Sequence, residues 1–312
     1  MDGIVEQALL FGRSKSLVGI VTMPTAEQSA RLPAVVILNS GIVHRVGHHR
    51  MYVTMARQLA AAGHRVLRFD FSGIGDSRSR GGNLSPNATF QTDIAEALDW
   101  LAASCGANSF VLVGLCAGAD TALQYGRVDN RVVGLVLLDP TIPPTMRFYT
   151  HYIGRRLIRL RSWLSFARGR GRIWQDVIER LKLAIAAKPP GSRTSLIDPT
   201  IRRELERAYT SLVTRGTRLL VVLAGGPLQG RQSYREQLLE AFPNVPFNDK
   251  LNLQHFQNSD HTFSLASDRE RLNQLVVTWM GETPFNLSAS PASANTSAAS
   301  SAARISTGTV YP

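Results

Sequence analysis

The sequence is short of cysteine, of acidic residues and of long apolar runs, and each shortage narrows what the chain can be. Two cysteines in 312 residues, Cys105 and Cys116, cannot build a disulfide framework, so a hydrophobic core must hold the fold and both thiols are expected to be reduced. No stretch approaches the roughly 18 uninterrupted apolar residues of a membrane-spanning helix. The opening Met1-Asp2-Gly3-Ile4-Val5-Glu6 has neither a basic leader nor an apolar signal segment, and the expected location is cytoplasmic. Metal binding is not expected: His44, His48 and His49 are suggestively spaced, but Arg45 and Arg50 beside them repel a cation and no carboxylate cluster joins them. What is present is 44% hydrophobic residues, enough for one large core or for a core carrying a smaller insertion.

The excess of 35 basic over 23 acidic residues, a net charge of +12, asks for an anionic partner. It concentrates between Arg147 and Arg172, where arginines interleave with Leu157, Ile158, Leu160, Trp163, Leu164 and Phe166. That pattern reads as a basic amphipathic helix. Three roles fit it: a solvated face, a peripheral contact with an anionic membrane surface, or a contact with an anionic substrate or polysaccharide. No nucleic-acid-binding motif accompanies the charge, so no nucleic-acid partner is expected.

Strand and helix patterns alternate along most of the chain. A hairpin over residues 8–23 precedes a buried strand at Ala34–Leu38, a helix at Met51–Ala62 closed by Gly63, a strand at His64–Asp70 and a helix from about Thr92. Then come a strand at Val111–Leu115, a helix from Ala117 and a strand at Val132–Leu138. Sheet sequence resumes at Thr217–Ala224. It is followed by a helix over Tyr234–Ala241, a strand at Leu251–His255 and a last helix at Asp268–Met280. The pattern predicts an α/β fold with a mainly parallel sheet begun by an antiparallel hairpin. The core would comprise residues 1–145 and 210–283, and residues 146–209 a helical basic insertion capping the strand ends. The Ser/Ala-rich 284–312 would be a disordered tail, too poor in apolar residues to offset its ordering entropy.

The chemistry centres on Gly114-Leu115-Cys116-Ala117-Gly118. A β-branched apolar run ends here and passes directly into a helix, the context of a nucleophile elbow. The glycines on either side of the central residue let the chain cross close to itself. Three further stretches accompany it: Asn39-Ser40-Gly41-Ile42 after a buried strand, Arg68-Phe69-Asp70-Phe71-Ser72-Gly73-Ile74-Gly75-Asp76-Ser77, and Asp260-His261-Thr262-Phe263 near the end. With these four in this order, the chain resembles the α/β-hydrolase superfamily over residues 8–283. Within it, the motifs look most like hydrolases associated with exosortase and exopolysaccharide loci, and the cysteine elbow looks like that of dienelactone hydrolases.

The resemblance implies an α/β-hydrolase fold with Cys116 as nucleophile and His261 as general base. It also implies an oxyanion hole made by the backbone N–H groups of Ile42 and Ala117. A thiolate is the reactive form, so Cys116 needs a neighbouring imidazole and a helix N-terminus to favour ionisation. His44 and Arg45, directly after the oxyanion loop, are candidate substrate contacts, whereas Asp70, Gly73, Gly75, Asp76 and Ser77 read as a structural turn.

The chain departs from the pattern at the acid. The loop after the strand ending at Ala224, Gly225-Gly226-Pro227-Leu228-Gln229-Gly230-Arg231-Gln232-Ser233, holds no carboxylate. Asp139, at the end of the preceding strand, is the leading substitute, with Glu236 and Asp260 as alternatives. The expected activity is hydrolysis of an ester, thioester or lactone, on a small or acylated substrate, by a Cys-His(-Asp) acyl-enzyme route without a cofactor. The alternative is an idle hydrolase fold acting as an accessory protein through its basic segment at a membrane surface or polysaccharide.

Overall fold

In the computed structural model of the chain, the described residues are 3–25, 32–81, 84–145, 147, 199–226 and 234–285. The expected basic amphipathic helix, most of the insertion and nearly all of the tail lie outside them.

Eight strands form one sheet. They are β1 (Ile4–Phe11), β2 (Leu17–Pro24), β3 (Ala34–Ile37), β4 (Val66–Phe69), β5 (Phe110–Leu115), β6 (Val132–Leu138), β7 (Arg218–Ala224) and β8 (Leu251–Phe256), in the spatial order β1-β2-β4-β3-β5-β6-β7-β8. The first two pair antiparallel, as do β2 and β4, and every other neighbouring pair is parallel. Strands β3 to β7 are buried along nearly their whole length, which is why they read as continuous apolar runs rather than alternations.

Helices cover both faces, and the period of two along each strand decides which residues meet them. Val111, Val113 and Leu115 point to the face covered by α1 (Met51–Ala61) and by the C-terminal helix Ala266–Glu282, packing with Met55, Leu59, Leu272 and Val276. Phe110 and Leu112 point to the face of α2 (Pro86–Cys105), α3 (Ala117–Gly126) and α4 (Pro199–Thr214), packing with Ile94, Leu98, Leu123 and Leu212. Helix α4 runs across the expected division at residue 209, and its Leu205, Ala208, Tyr209, Leu212 and Val213 are buried in the core. One face of this helix, from Leu205 to Val213, therefore packs against the core.

Three helices differ from expectation at their starts. Helix α2 begins at Pro86, six residues before Thr92, because Ser85 caps it: its Oγ accepts from the Ala88 amide at 3.3 Å, and Pro86 suits the first helical position. The helix expected from Tyr234 is confined to α5 (Gln237–Ala241), and the last helix, α6, is Ala266–Glu282. Among the described residues no helix is long and apolar enough to cross a membrane.

Strand β3 lies between β4 and β5, so the chain leaves it to one side and returns on the other. Loops after β3 and β5 therefore diverge and open a crevice at the carboxyl ends of the strands, where open α/β sheets place their ligands. The segments carrying Ile42, Cys116, Asp139 and His261 all begin there.

Candidate active site

The elbow is built by close backbone approach. Cys116, between β5 and α3, stands at φ 56° and ψ −119°, a conformation that costs a non-glycine residue about 1–3 kcal/mol and persists only when its surroundings enforce it. They do so from both sides. A Cβ on Gly114 would lie 2.2 Å from the carbonyl carbon of Gly118, and a Cβ on Gly118 would lie 2.4 Å from the carbonyl oxygen of Asn39. Both glycines are thus sterically required, one to let the turn fold on itself and one to seat α3 against the end of β3. The Cys116 amide donates to the Leu138 carbonyl at 2.9 Å and its carbonyl accepts from Asp120 at 3.1 Å. The half-buried sulfur is carried at the N-terminus of a ten-residue helix, whose dipole favours a thiolate. The Ala117 amide is the first of that helix and has no acceptor within it.

The residue next to Leu138 is Asp139, so the bond from Cys116 ties the elbow to the strand that ends at Asp139. Asp139 is buried, holds φ 45°, and is fixed by its amide donating to Val222 at 2.7 Å and by Ala224, whose amide donates to Oδ1 at 3.3 Å. Its Oδ2 pairs with Nδ1 of His261. An ionised carboxylate only accepts, so the proton of that bond sits on Nδ1, leaving Nε2 as the basic nitrogen. The following residue but one, Thr141, donates from its amide and hydroxyl to Asp120 on α3, at 2.9 and 2.7 Å, which holds the loop after Asp139 to the elbow helix.

The other carboxylates are used elsewhere. Asp260 accepts from the amides of Thr262 and Ser264 and from both their hydroxyls, shaping the turn that presents His261. Partial burial works against its ionisation, but the Ser264 and Thr262 donors outweigh this and hold its carboxyl below the usual range. Glu236 is exposed and lies 3.8 Å from Arg147.

The loop after β3 is braced to the turn after β4. Asn39 donates to the Val43 carbonyl at 2.8 Å and accepts from the Phe71 amide at 2.8 Å. Asp70, fully buried, accepts from the amides of Arg45 at 2.6 Å and Asp76 at 3.0 Å, and pairs with the Arg45 guanidinium, which also reaches Asp76 at 2.7 Å. Burial opposes the charge on Arg45, and the two carboxylates more than restore it. Gly75 leaves room for this: a Cβ there would lie 2.3 Å from Asp70 Oδ2. Ile42, at the tip of the loop, is 90% exposed, and His44 is exposed as well.

Two further groups lie beside the site; the sequence singles out His48 only by its spacing from His44 and His49, and Tyr52 not at all. His48 is half-buried, and burial, then the charges of His261 and His49, push its pKa below the usual imidazole value against the pull of Asp260; it therefore lies within electrostatic reach of His261. Tyr52, on α1, is fully buried with its hydroxyl accepting from the Leu115 amide at 3.2 Å. In the sequence it is one more aromatic on the apolar stripe of a helix.

Comparison with known proteins agrees with this architecture. The sequence model of the alpha/beta hydrolase fold family matches residues 34–194. No curated protein matches the chain. Among solved structures, an esterase from Pyrococcus furiosus is 15% identical with a TM-score of 0.55, covering 89% of this chain and 90% of its own. The esterase domain of a Rhodothermus marinus protein is 16% identical with a TM-score of 0.52, covering 88% and 97%. A dienelactone hydrolase-like promiscuous phosphotriesterase from metagenomic libraries is 13% identical with a TM-score of 0.53, covering 91% and 100%. At these identities the likeness is one of fold.

Proposed function

The chain belongs to the alpha/beta hydrolase fold family, and from that premise we propose that it is a cysteine hydrolase of carboxylic esters, thioesters or lactones. The observation that carries this reading is the Asp139–His261 pair, joined through Leu138 to a strained cysteine elbow. Nε2 of His261 takes the thiol proton, and the Cys116 sulfur attacks the carbonyl carbon to form a C–S bond. The resulting oxyanion is held by the amides of Ile42 and Ala117. The bond to the leaving oxygen or sulfur then breaks as His261 returns the proton to it, leaving an acyl thioester on Cys116. Water, losing a proton to His261, attacks that thioester; the C–S bond breaks, the carboxylic acid departs and the thiol is restored. Asp139 keeps the proton on Nδ1 and stabilises the imidazolium formed in each half.

His44 stands at the rim as a substrate contact. Arg45 is committed to Asp70 and Asp76, and its contribution to binding is through the loop it braces. The motifs' likeness to hydrolases of exopolysaccharide loci makes acylated saccharides a substrate class to test alongside simple esters. A cytoplasmic, membrane-peripheral location is part of the same proposal. The rival reading, an inactive accessory protein, rests on the missing carboxylate after β7; the Asp139–His261 contact favours the hydrolase over it, and the basic segment it invokes lies outside the described residues.

The test is turnover of an activated p-nitrophenyl ester with acyl-enzyme trapping. The wild type should form a thioester on Cys116 and release nitrophenol repeatedly, while Cys116→Ala and His261→Ala should fall at least about 10³-fold. A Cys116→Ala variant that hydrolyses at the wild-type rate would sink the proposal.

A further inference from the structure

The reaction above leaves unused a buried hydroxyl beneath the elbow. Where β3 and β5 diverge to open the crevice, Leu38 still donates to Val113 at 2.8 Å, but the next inter-strand position has lost its partner strand. The Leu115 amide, one residue before the nucleophile, is satisfied instead by the Tyr52 hydroxyl at 3.2 Å. An unpaired amide at this depth would be costly, so the phenol completes the sheet where the sheet is forked. The ring cannot move aside: Gly47 folds over it at φ 73°, and a Cβ there would lie 2.7 Å from the ring carbon Cγ. Cys116, partly buried, packs against the buried apolar cluster that contains Tyr52.

A phenol oxygen accepting from Leu115 still has one hydrogen to donate. Burial keeps that hydrogen in place by pushing the phenol's ionisation far above neutral pH, and the charge of a Cys116 thiolate pushes it further the same way. The phenol is therefore a neutral dipole inside a low-dielectric cluster, where fixed dipoles act strongly on a nearby charge.

We propose that Tyr52 is a positioning residue of the nucleophile: its hydroxyl fixes the Leu115 amide in the fork, and its O–H dipole is turned toward the Cys116 sulfur so as to favour the thiolate. This rests on the reading of Cys116 as nucleophile. The role is distinct from that of His261, which moves the proton; Tyr52 moves none.

The experiment is the pH dependence of Cys116 alkylation by iodoacetamide, resolved by peptide mass spectrometry with Cys105 as internal reference. It compares wild type, Tyr52→Phe, and the protein carrying 3-fluorotyrosine at position 52. Removing the hydroxyl should move the Cys116 profile to higher pH, lowering the rate below the midpoint about three- to tenfold. Fluorination keeps the shape and strengthens the donor, so it should raise the rate at the same pH. A purely structural hydroxyl would lower the melting temperature of Tyr52→Phe and leave both profiles where they were; that result overturns the proposal. If Tyr52→Phe does not fold, the fluorinated protein decides alone, an unmoved profile refuting and an acid shift supporting. Ester turnover by Cys116→Ala, measured in parallel, reports separately on the hydrolase reading, because the alkylation profile does not depend on any substrate.

Discussion

Replacing Asp139 by asparagine asks which proton the His261 ring carries. The two oxygens of Asp139 have different partners: Oδ1 accepts from the Ala224 amide and Oδ2 faces His261 Nδ1. An asparagine that keeps its oxygen on the Ala224 N–H must turn its NH2 toward Nδ1. The ring then accepts at Nδ1 and carries its proton on Nε2, where it cannot take one from a thiol. The flipped amide would restore the tautomer but set NH2 against a buried N–H, leaving that donor unpaired at about 1–3 kcal/mol. Only about one molecule in 5 to one in 150 would hold the productive arrangement. Those molecules also lose a charge-assisted bond to the imidazolium worth about 1.5–3 kcal/mol. The product of the two effects is a fall of about 10² to 10⁴ in kcat/KM. Stopped-flow hydrolysis of a p-nitrophenyl ester measures it, with circular dichroism to verify the fold. Activity within threefold of wild type would refute Asp139 as the acid and return the role to no carboxylate at all.

Two further substitutions probe the frame around the site. Arg45→Met keeps the aliphatic stem but leaves the buried Asp70 facing only amide donors; breaking a buried pair costs about 3–5 kcal/mol, and urea unfolding should show a loss near the lower figure because the Arg45 and Asp76 amides still serve Asp70. A raised KM with unchanged stability would instead make Arg45 a substrate contact. His64 is 2% exposed and its Nδ1 donates to the Pro33 carbonyl at 3.0 Å; burial, only partly offset by that bond, pushes its pKa below the usual value. The unfolded chain therefore binds the proton first as pH falls, so stability present above about pH 6.5 should be lost as pH drops toward the folded pKa, with a slope up to about 1.4 kcal/mol per pH unit. Thermal unfolding of wild type and His64→Leu between pH 5 and 7.5 tests this, a slope identical in both excluding His64 as its source.

How much of this was legible in the sequence depended on how local each constraint is. The elbow was, because its glycines answer a clash within five residues: Gly114 against Gly118. The strands buried on both faces were, because burial forces continuous apolar runs. The pairing of Asp139 with His261 joins positions 122 residues apart; the sequence could rank Asp139 first from its place at a strand's carboxyl end, but not show the contact, and Asp260, adjacent to His261, is occupied in its own turn. Arg45 suggested a substrate contact from its place after the oxyanion loop, whereas its partner Asp70 lies 25 residues on, at the end of the neighbouring strand β4. Tyr52 was invisible as a polar group, since an amphipathic pattern counts a buried tyrosine and a buried phenylalanine alike.

The missing carboxylate after β7 and the presence of Asp139 are one arrangement seen from two sides. For His261, in the turn after β8, to reach the end of β6, its loop must come down over the end of the strand between them. It does so on Gly225 and Gly226, whose amides donate to Phe256 at 3.0 Å and Ser259 at 2.8 Å. A Cβ on Gly225 would lie 2.6 Å from His255 Nε2, and one on Gly226 would lie 2.5 Å from the Ser259 carbonyl oxygen. A carboxylate side chain at either position would hold that loop away from Asp139. The glycine pair that stands where the sequence lacks a carboxylate is what lets His261 turn toward Asp139, one strand nearer Cys116, whose amide is already bonded to Leu138.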